Sequence, residues 1–212
     1  MHRYDRPRRQ FAIALSGLAG FVDAVGFLSA GGYFVSFMSG NTTRLGVALG
    51  VDPVQALLPA LLITGFLCGV TAGALIALHT GRLRKPAVLA LVAGLLLAGA
   101  GARAAGAENP MLLALVLAMG AINNTFQRGG EVTVGLTYMT GALVRLGKGF
   151  ALWLAGKAEP GWPAWGALWA GLLCGAVLGA FLQDRLPQGC LWIAGAWAMA
   201  MVPVAFRLPA ES

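Results

Sequence analysis

Along most of this chain the apolar positions do not recur at the three-to-four spacing of a helix with one wet face; they run almost unbroken. Six such runs stand out, at residues 11–30, 54–79, 86–105, 110–126, 162–182 and 190–206. About 20 helical residues at 1.5 Å each cross a hydrocarbon core of about 30 Å. Each run is therefore read as a membrane-spanning helix. Two further segments, 34–50 and 132–156, are apolar but interrupted. The first carries Ser39-Gly40-Asn41-Thr42-Thr43-Arg44 and the second carries Thr140-Gly141 with Arg145 and Lys148. They are expected to be broken or re-entrant pieces, which are tolerated at membrane depth only where protein buries them or water reaches them. The expected fold class is an all-α membrane protein of six transmembrane helices, in one domain spanning 1–212.

Composition supports this reading. Of 212 residues, 58% are hydrophobic and 11% are charged, with a mean hydropathy of +0.76. Soluble domains hold about 25% charged residues, so a soluble globular domain is excluded. A net charge of +7 would point to nucleic acid in a soluble chain. Here the basic residues gather in short inter-run loops, where they set orientation instead. With six spans and a cytoplasmic N-terminus, Arg3, Arg6, Arg8, Arg9, Arg82, Arg84, Lys85, Arg128, Arg145, Lys148, Lys157 and Arg207 lie inside, and only Arg44, Arg103 and Arg185 lie outside. Eight spans would move the loop at 82–85 outside and sink Arg44, Arg145 and Lys148 in lipid. The expectation is a multi-pass protein of the bacterial inner membrane with both termini cytoplasmic. The basic stretch 1–10 resembles the start of a secretory signal, but the run after it is long for one and contains Asp23, so it is expected to remain as the first span.

The two halves repeat each other. Met38-Ser39-Gly40-Asn41-Thr42-Thr43-Arg44-Leu45-Gly46 aligns with Met139-Thr140-Gly141-Ala142-Leu143-Val144-Arg145-Leu146-Gly147, and the same offset sets Asp23 against Asn124. Further on, residues 65–74 match residues 171–180 at Gly, Leu, Cys, Gly, Gly and Ala. Each half holds three spans, an odd number, so the second half, 107–206, enters the membrane upside down relative to the first, 11–106. Inverted repeats of this kind are an architecture of transporters.

Asp23 is the one acid inside the six runs, and a carboxylate at membrane depth is costly unless paired or neutral. Its candidate roles are a solute or proton site, or a structural pairing with Arg44 or Arg145. Asn123 and Asn124, at the matching end of the fourth run, can bond a solute or neighbouring helices. Ser39 or Asn41, and Thr140, are candidate caps of short helices whose free N–H groups attract an anion or a carbonyl. Arg44 and Arg145 stand about one turn beyond. The candidate substrate-binding set is thus Asp23, Asn41, Arg44, Asn123, Asn124, Thr140 and Arg145. Gly65, Gly69 and Gly73, with Gly171, Gly175 and Gly179, form small-residue stripes for close helix packing. Cys68, Cys174 and Cys190 fall within apolar runs and read as small buried hydrophobes. His2 and His79 lack partners for metal binding or nucleophilic chemistry. No catalytic residue, cofactor or metal is expected, and an enzyme has little support.

The block Gly20-Phe21-Val22-Asp23-Ala24 through Phe27-Leu28, Phe34 and Met38-Ser39-Gly40-Asn41, with Met139-Thr140-Gly141, resembles the YoaK family of bacterial inner-membrane proteins, a domain of unknown function (DUF1275, UPF0700). The resemblance covers nearly the whole chain. This sequence departs from the family pattern with Ser39 where Thr is usual and with Ile122-Asn123-Asn124-Thr125 where a Gln-Asn-Ala pattern is common. The resemblance implies a six-span bacterial membrane protein and supplies no substrate. The function expected from the residues is transport of a small polar or anionic solute, with Asp23 available for proton coupling. The alternatives are a passive channel and a non-transporting scaffold or sensor. The expected partners are that solute, membrane lipids and a second copy of the chain; no nucleic acid is expected.

Overall fold

The computed structural model describes residues 5–128, 131–132, 135–157 and 160–208. Arg3, Glu159 and Glu211 lie outside them, as do the side chains of Arg128 and Glu131. Helix α1, Arg6–Ser29, opens on Asp5, whose carboxylate accepts from the Arg8 backbone N–H at 3.2 Å, and it ends where Gly31 and Gly32 adopt φ of 60° and 88°. Left-handed geometry of this sort is open to glycine and costly to other residues. The chain turns back along α1 there. Val35 packs over Gly26, where any Cβ would strike the Val35 side chain.

The next helix, α2, is short, Met38–Val51. Helices α3, Leu57–Thr80, and α4, Arg84–Ala104, follow as an antiparallel pair joined by one 3-10 turn. Helix α5 spans Glu108–Ile122 and tightens into a 3-10 turn at Asn123–Thr125. A two-residue antiparallel ladder pairs Gln127–Arg128 with Glu131–Val132. Then come α6, Met139–Leu154, α7, Pro163–Arg185, and α8, Cys190–Arg207.

All six sequence-predicted runs are helical, and in both interrupted segments a short helix follows non-helical residues, 34–37 in the first and 135–138 in the second. Helix α1, the stretch Pro53–Ala104 that holds α3 and α4, α7 and α8 are long and apolar enough to cross a membrane. At 15 residues, α5 is shorter, and about 22 Å of helix plus its 3-10 turn carries that segment on. The molecule is a helical, multi-pass membrane protein. The inner helices are α1 and α5, with Leu15, Leu18, Val22, Leu115, Met119 and Ile122 fully buried. Leu61, Leu67 and Leu78 of α3 and Leu173, Val177 and Phe181 of α7 point outward as the surface for hydrocarbon.

Packing follows one scheme in both halves: α1 lies on α7 as α5 lies on α3, α2 lies on α3 as α6 lies on α7, and α4 lies on α8. The glycine stripes make the first two contacts. A Cβ at Gly175 would overlap the Gly17 carbonyl and one at Gly179 the Phe21 carbonyl; likewise Gly69 meets Leu117 and Gly73 meets Ala121. The reciprocal glycines behave alike, Gly20 on the Leu172 carbonyl and Gly120 on the Phe66 carbonyl. Backbone touches backbone at both crossings, so the stripes serve packing within one chain.

Candidate functional site

The two non-helical returns converge on a cavity of about 470 Å³. From the first half come Asp23 on α1, Ser36, Phe37, Met38 and Ser39 at the start of α2, with Phe34 before them and Phe66 on α3. The second half brings Thr137, Tyr138, Met139 and Thr140 at the start of α6, with Leu143 a turn later and Leu172 on α7. Most of these are matched pairs under the repeat: Ser36 with Thr137, Phe37 with Tyr138, Met38 with Met139, Ser39 with Thr140, and Phe66 with Leu172.

Asp23 is held by the loop it faces. Its Oδ1 accepts from the backbone N–H of Val35 at 2.9 Å and of Ser36 at 2.8 Å, and the Ser36 hydroxyl also bonds the carboxyl. Among the described residues no Lys or Arg pairs with it. Both short helices begin two residues earlier than caps at Ser39 and Thr140 would set them, and four earlier than a cap at Asn41, starting at Met38 and Met139 with Phe37 and Tyr138 as caps that make no side-chain hydrogen bond. Ser39 and Thr140 therefore sit inside the first turn and face the cavity rather than capping. Phe34 stands between Phe27 at 4.9 Å and Phe37 at 5.2 Å, which fixes an aromatic wall on one side.

Of the seven residues proposed from sequence, Asp23 and Thr140 line the cavity. Asn41 lies just behind it, fully buried, its amide clasping Phe34 from both sides: the Phe34 N–H donates to Oδ1 at 3.1 Å and Nδ2 donates to the Phe34 carbonyl at 2.6 Å. Asn123 is buried and bonds the Met119 carbonyl and the Thr137 hydroxyl. Asn124 donates to the Val70 carbonyl on α3 at 3.0 Å. Arg44 and Arg145 line no part of it. Arg44 stacks 4.8 Å over Tyr33 in a separate crevice with Asp52, and Arg145 stacks 4.3 Å over Trp165.

Geometry also shifts the repeat register. Asp23 bonds Ser36 as Asn123 bonds Thr137, so Asn123, not Asn124, occupies the position equivalent to Asp23. The glycine crossings agree, since Gly17 and Leu117 play the same part. The second return, which contains the two-residue ladder, is one residue longer and absorbs the difference.

Ser36, Phe37, Thr137 and Tyr138 were not singled out from sequence. Extending the matched block two residues upstream finds them. Arg103, read only as an external loop charge, joins the ends of five helices. From the end of α4 it donates to Gln183 Oε1 at 2.6 Å, the Pro187 carbonyl at 2.9 Å, Met111 Sδ at 3.1 Å, Cys190 Sγ at 3.2 Å and the Ser29 hydroxyl.

The family model described as "Protein of unknown function (DUF1275)" matches residues 11–204, which takes in every element lining the cavity. The chain belongs to this family. A relative, the "UPF0700 transmembrane protein RA0705" of Rhizobium meliloti (strain 1021), is 39% identical over 197 residues, covering 92% of this chain and 85% of its own length. DUF1275 membership thus extends across both halves, from α1 to α8. No solved structure matches the chain.

Proposed function

We propose that this DUF1275 protein is a carrier of a small polar solute across the bacterial inner membrane, built as two inverted three-span repeats with both termini cytoplasmic. The observation that carries the reading is the cavity between the two broken segments, lined by residue pairs that correspond under the repeat. A site on the axis between inverted repeats, flanked by the N-termini of short helices, is where a carrier exposes one solute to either side in turn. The recurrence of the α1–α7 and α5–α3 crossings supports the same two-fold relation. Asp23, the one carboxyl on the cavity among the described residues, is the group through which proton movement would couple to the solute. No enzymatic role is proposed.

A scaffold is the second reading, favoured by one observation: Asn41, Asn123 and Asn124 all spend their amides on backbone or neighbouring side chains. Locking interactions of this type are common between membrane helices. A ligand-induced melting-shift screen across organic acids, inorganic anions, nucleobases and amino acids separates the two. The carrier reading expects at least one class to stabilise the purified protein and to be taken up by proteoliposomes. Stabilisation by none would favour the scaffold.

A further inference from the structure

The cavity's chemistry narrows its occupant, an inference that rests on the carrier reading above. Among the described residues, Asp23 is the one formally charged group on its wall. Arg44 and Arg145 are stacked on Tyr33 and Trp165 elsewhere. An anion would meet a carboxylate with no guanidinium or ammonium among the described lining residues to offset it. The first turns of α2 and α6 both line the cavity, and each helix start carries roughly +0.5 of a charge. Together they offset roughly the charge of Asp23, so a cation gains little either. What remains is a site that balances near neutrality, offers an acceptor at Asp23, and offers hydroxyls at Ser39 and Thr140 that donate or accept, while the Ser36 and Thr137 hydroxyl protons are already given to Asp23 and Asn123. Its apolar surface is aromatic on both sides: Phe34 and Phe37 from one half, Tyr138 from the other.

We infer that the cavity binds a neutral, planar heterocycle whose edge carries both N–H donors and carbonyl acceptors, the pattern of a pyrimidine or oxopurine base. A ring N–H donates to Asp23, ring carbonyls accept from the Ser39 and Thr140 hydroxyls, and the ring face lies against Phe37. Flat aromatic contact suits any base, because every base presents a π-face. A volume of about 470 Å³ is within the range of roughly 300–1,000 Å³ usual for small-molecule sites. It accommodates one or two fused rings with water.

The test is calorimetric titration of the full chain in detergent with four probes: uracil, hypoxanthine, benzoate and benzylammonium. Uracil or hypoxanthine should bind, and neither benzoate nor benzylammonium should compete. Phe37→Leu, which keeps an apolar side chain but removes the ring face, should weaken binding at least tenfold with melting unchanged, and Asp23→Asn should do so as well. If benzoate or benzylammonium binds at this site while the heterocycles do not, the heterocycle inference falls and the carrier reading stands. Binding of none of the four overturns the inference; the wider melting screen then judges the carrier reading by itself. Heterocycle binding that is indifferent to both substitutions would place the site elsewhere and also overturn it.

Discussion

Single residues divide here into those that hold the fold and those that face the cavity. Arg103 belongs to the first group. Five hydrogen bonds from one guanidinium reach Ser29, Met111, Gln183, Pro187 and Cys190, on α1, α5, α7, the turn after α7, and α8. Hydrogen bonds to charged donors contribute about 1.5–3 kcal/mol each where both partners are otherwise desolvated. Several are lost together in Arg103→Met, for which we expect destabilisation of about 2–4 kcal/mol and a clearly lowered melting temperature in detergent. Unchanged melting would mean that the bonds only decorate the helix ends. Asn41 acts similarly on a smaller scale. Asn41→Ala frees the Phe34 backbone from both of its clasps at a cost of about 1–3 kcal/mol, and hydrogen exchange should rise at 33–37 before it rises in α1. Equal protection in wild type and variant would remove Asn41 from that role.

Elements pack through glycine, and this part of the fold was legible early. The four-residue spacing of Gly65, Gly69 and Gly73, and of Gly171, Gly175 and Gly179, reads as close packing because nothing but a missing side chain lets two helix backbones meet. The structure supplies the partners, α5 and α1. Gly175→Leu and Gly69→Leu should each force a crossing apart and lower the melting temperature markedly, since overpacking costs about 1–3 kcal/mol even where side chains can shift and here the obstacle is backbone. Gly46→Leu, on α2 with open space around it, should change little. Equal effects at all three would refute the assignment. The starts of α2 and α6 were less legible. Ser39 or Asn41, and Thr140, carry good capping side chains, so sequence places the helix starts on them. The helices begin two residues sooner than caps at Ser39 and Thr140 would set them, with Ser39 and Thr140 turned to the cavity inside the first turn. Sequence likewise set Arg44 and Arg145 in the site from their shared position. It had no means of seeing Tyr33 and Trp165, distant in the chain from one another, each beside its own arginine.

At the scale of the whole molecule, Arg103 gathers the ends of α1, α4 and α7 and the starts of α5 and α8 at one face. Alternating spans bring those ends to one face whichever way up the chain lies, so labelling decides the orientation proposed from the charges. Impermeant cysteine labelling from the periplasmic side, in a background lacking Cys68, Cys174 and Cys190, should reach a probe at Asp184 and miss one at Arg82; the reverse pattern would invert the assignment. The claim at the centre of the account is that solute passes through the cavity beside Asp23. The most direct measurement is uptake of the ligand found by titration into proteoliposomes, with and without an imposed proton gradient, comparing wild type with Asp23→Asn. That substitution keeps the size of the side chain and leaves an amide of the kind Asn123 already supplies at the equivalent position. We expect wild type to accumulate the ligand when the gradient is imposed, and Asp23→Asn to lose accumulation at unchanged protein level and melting. Accumulation by Asp23→Asn equal to wild type under the same gradient would contradict the account.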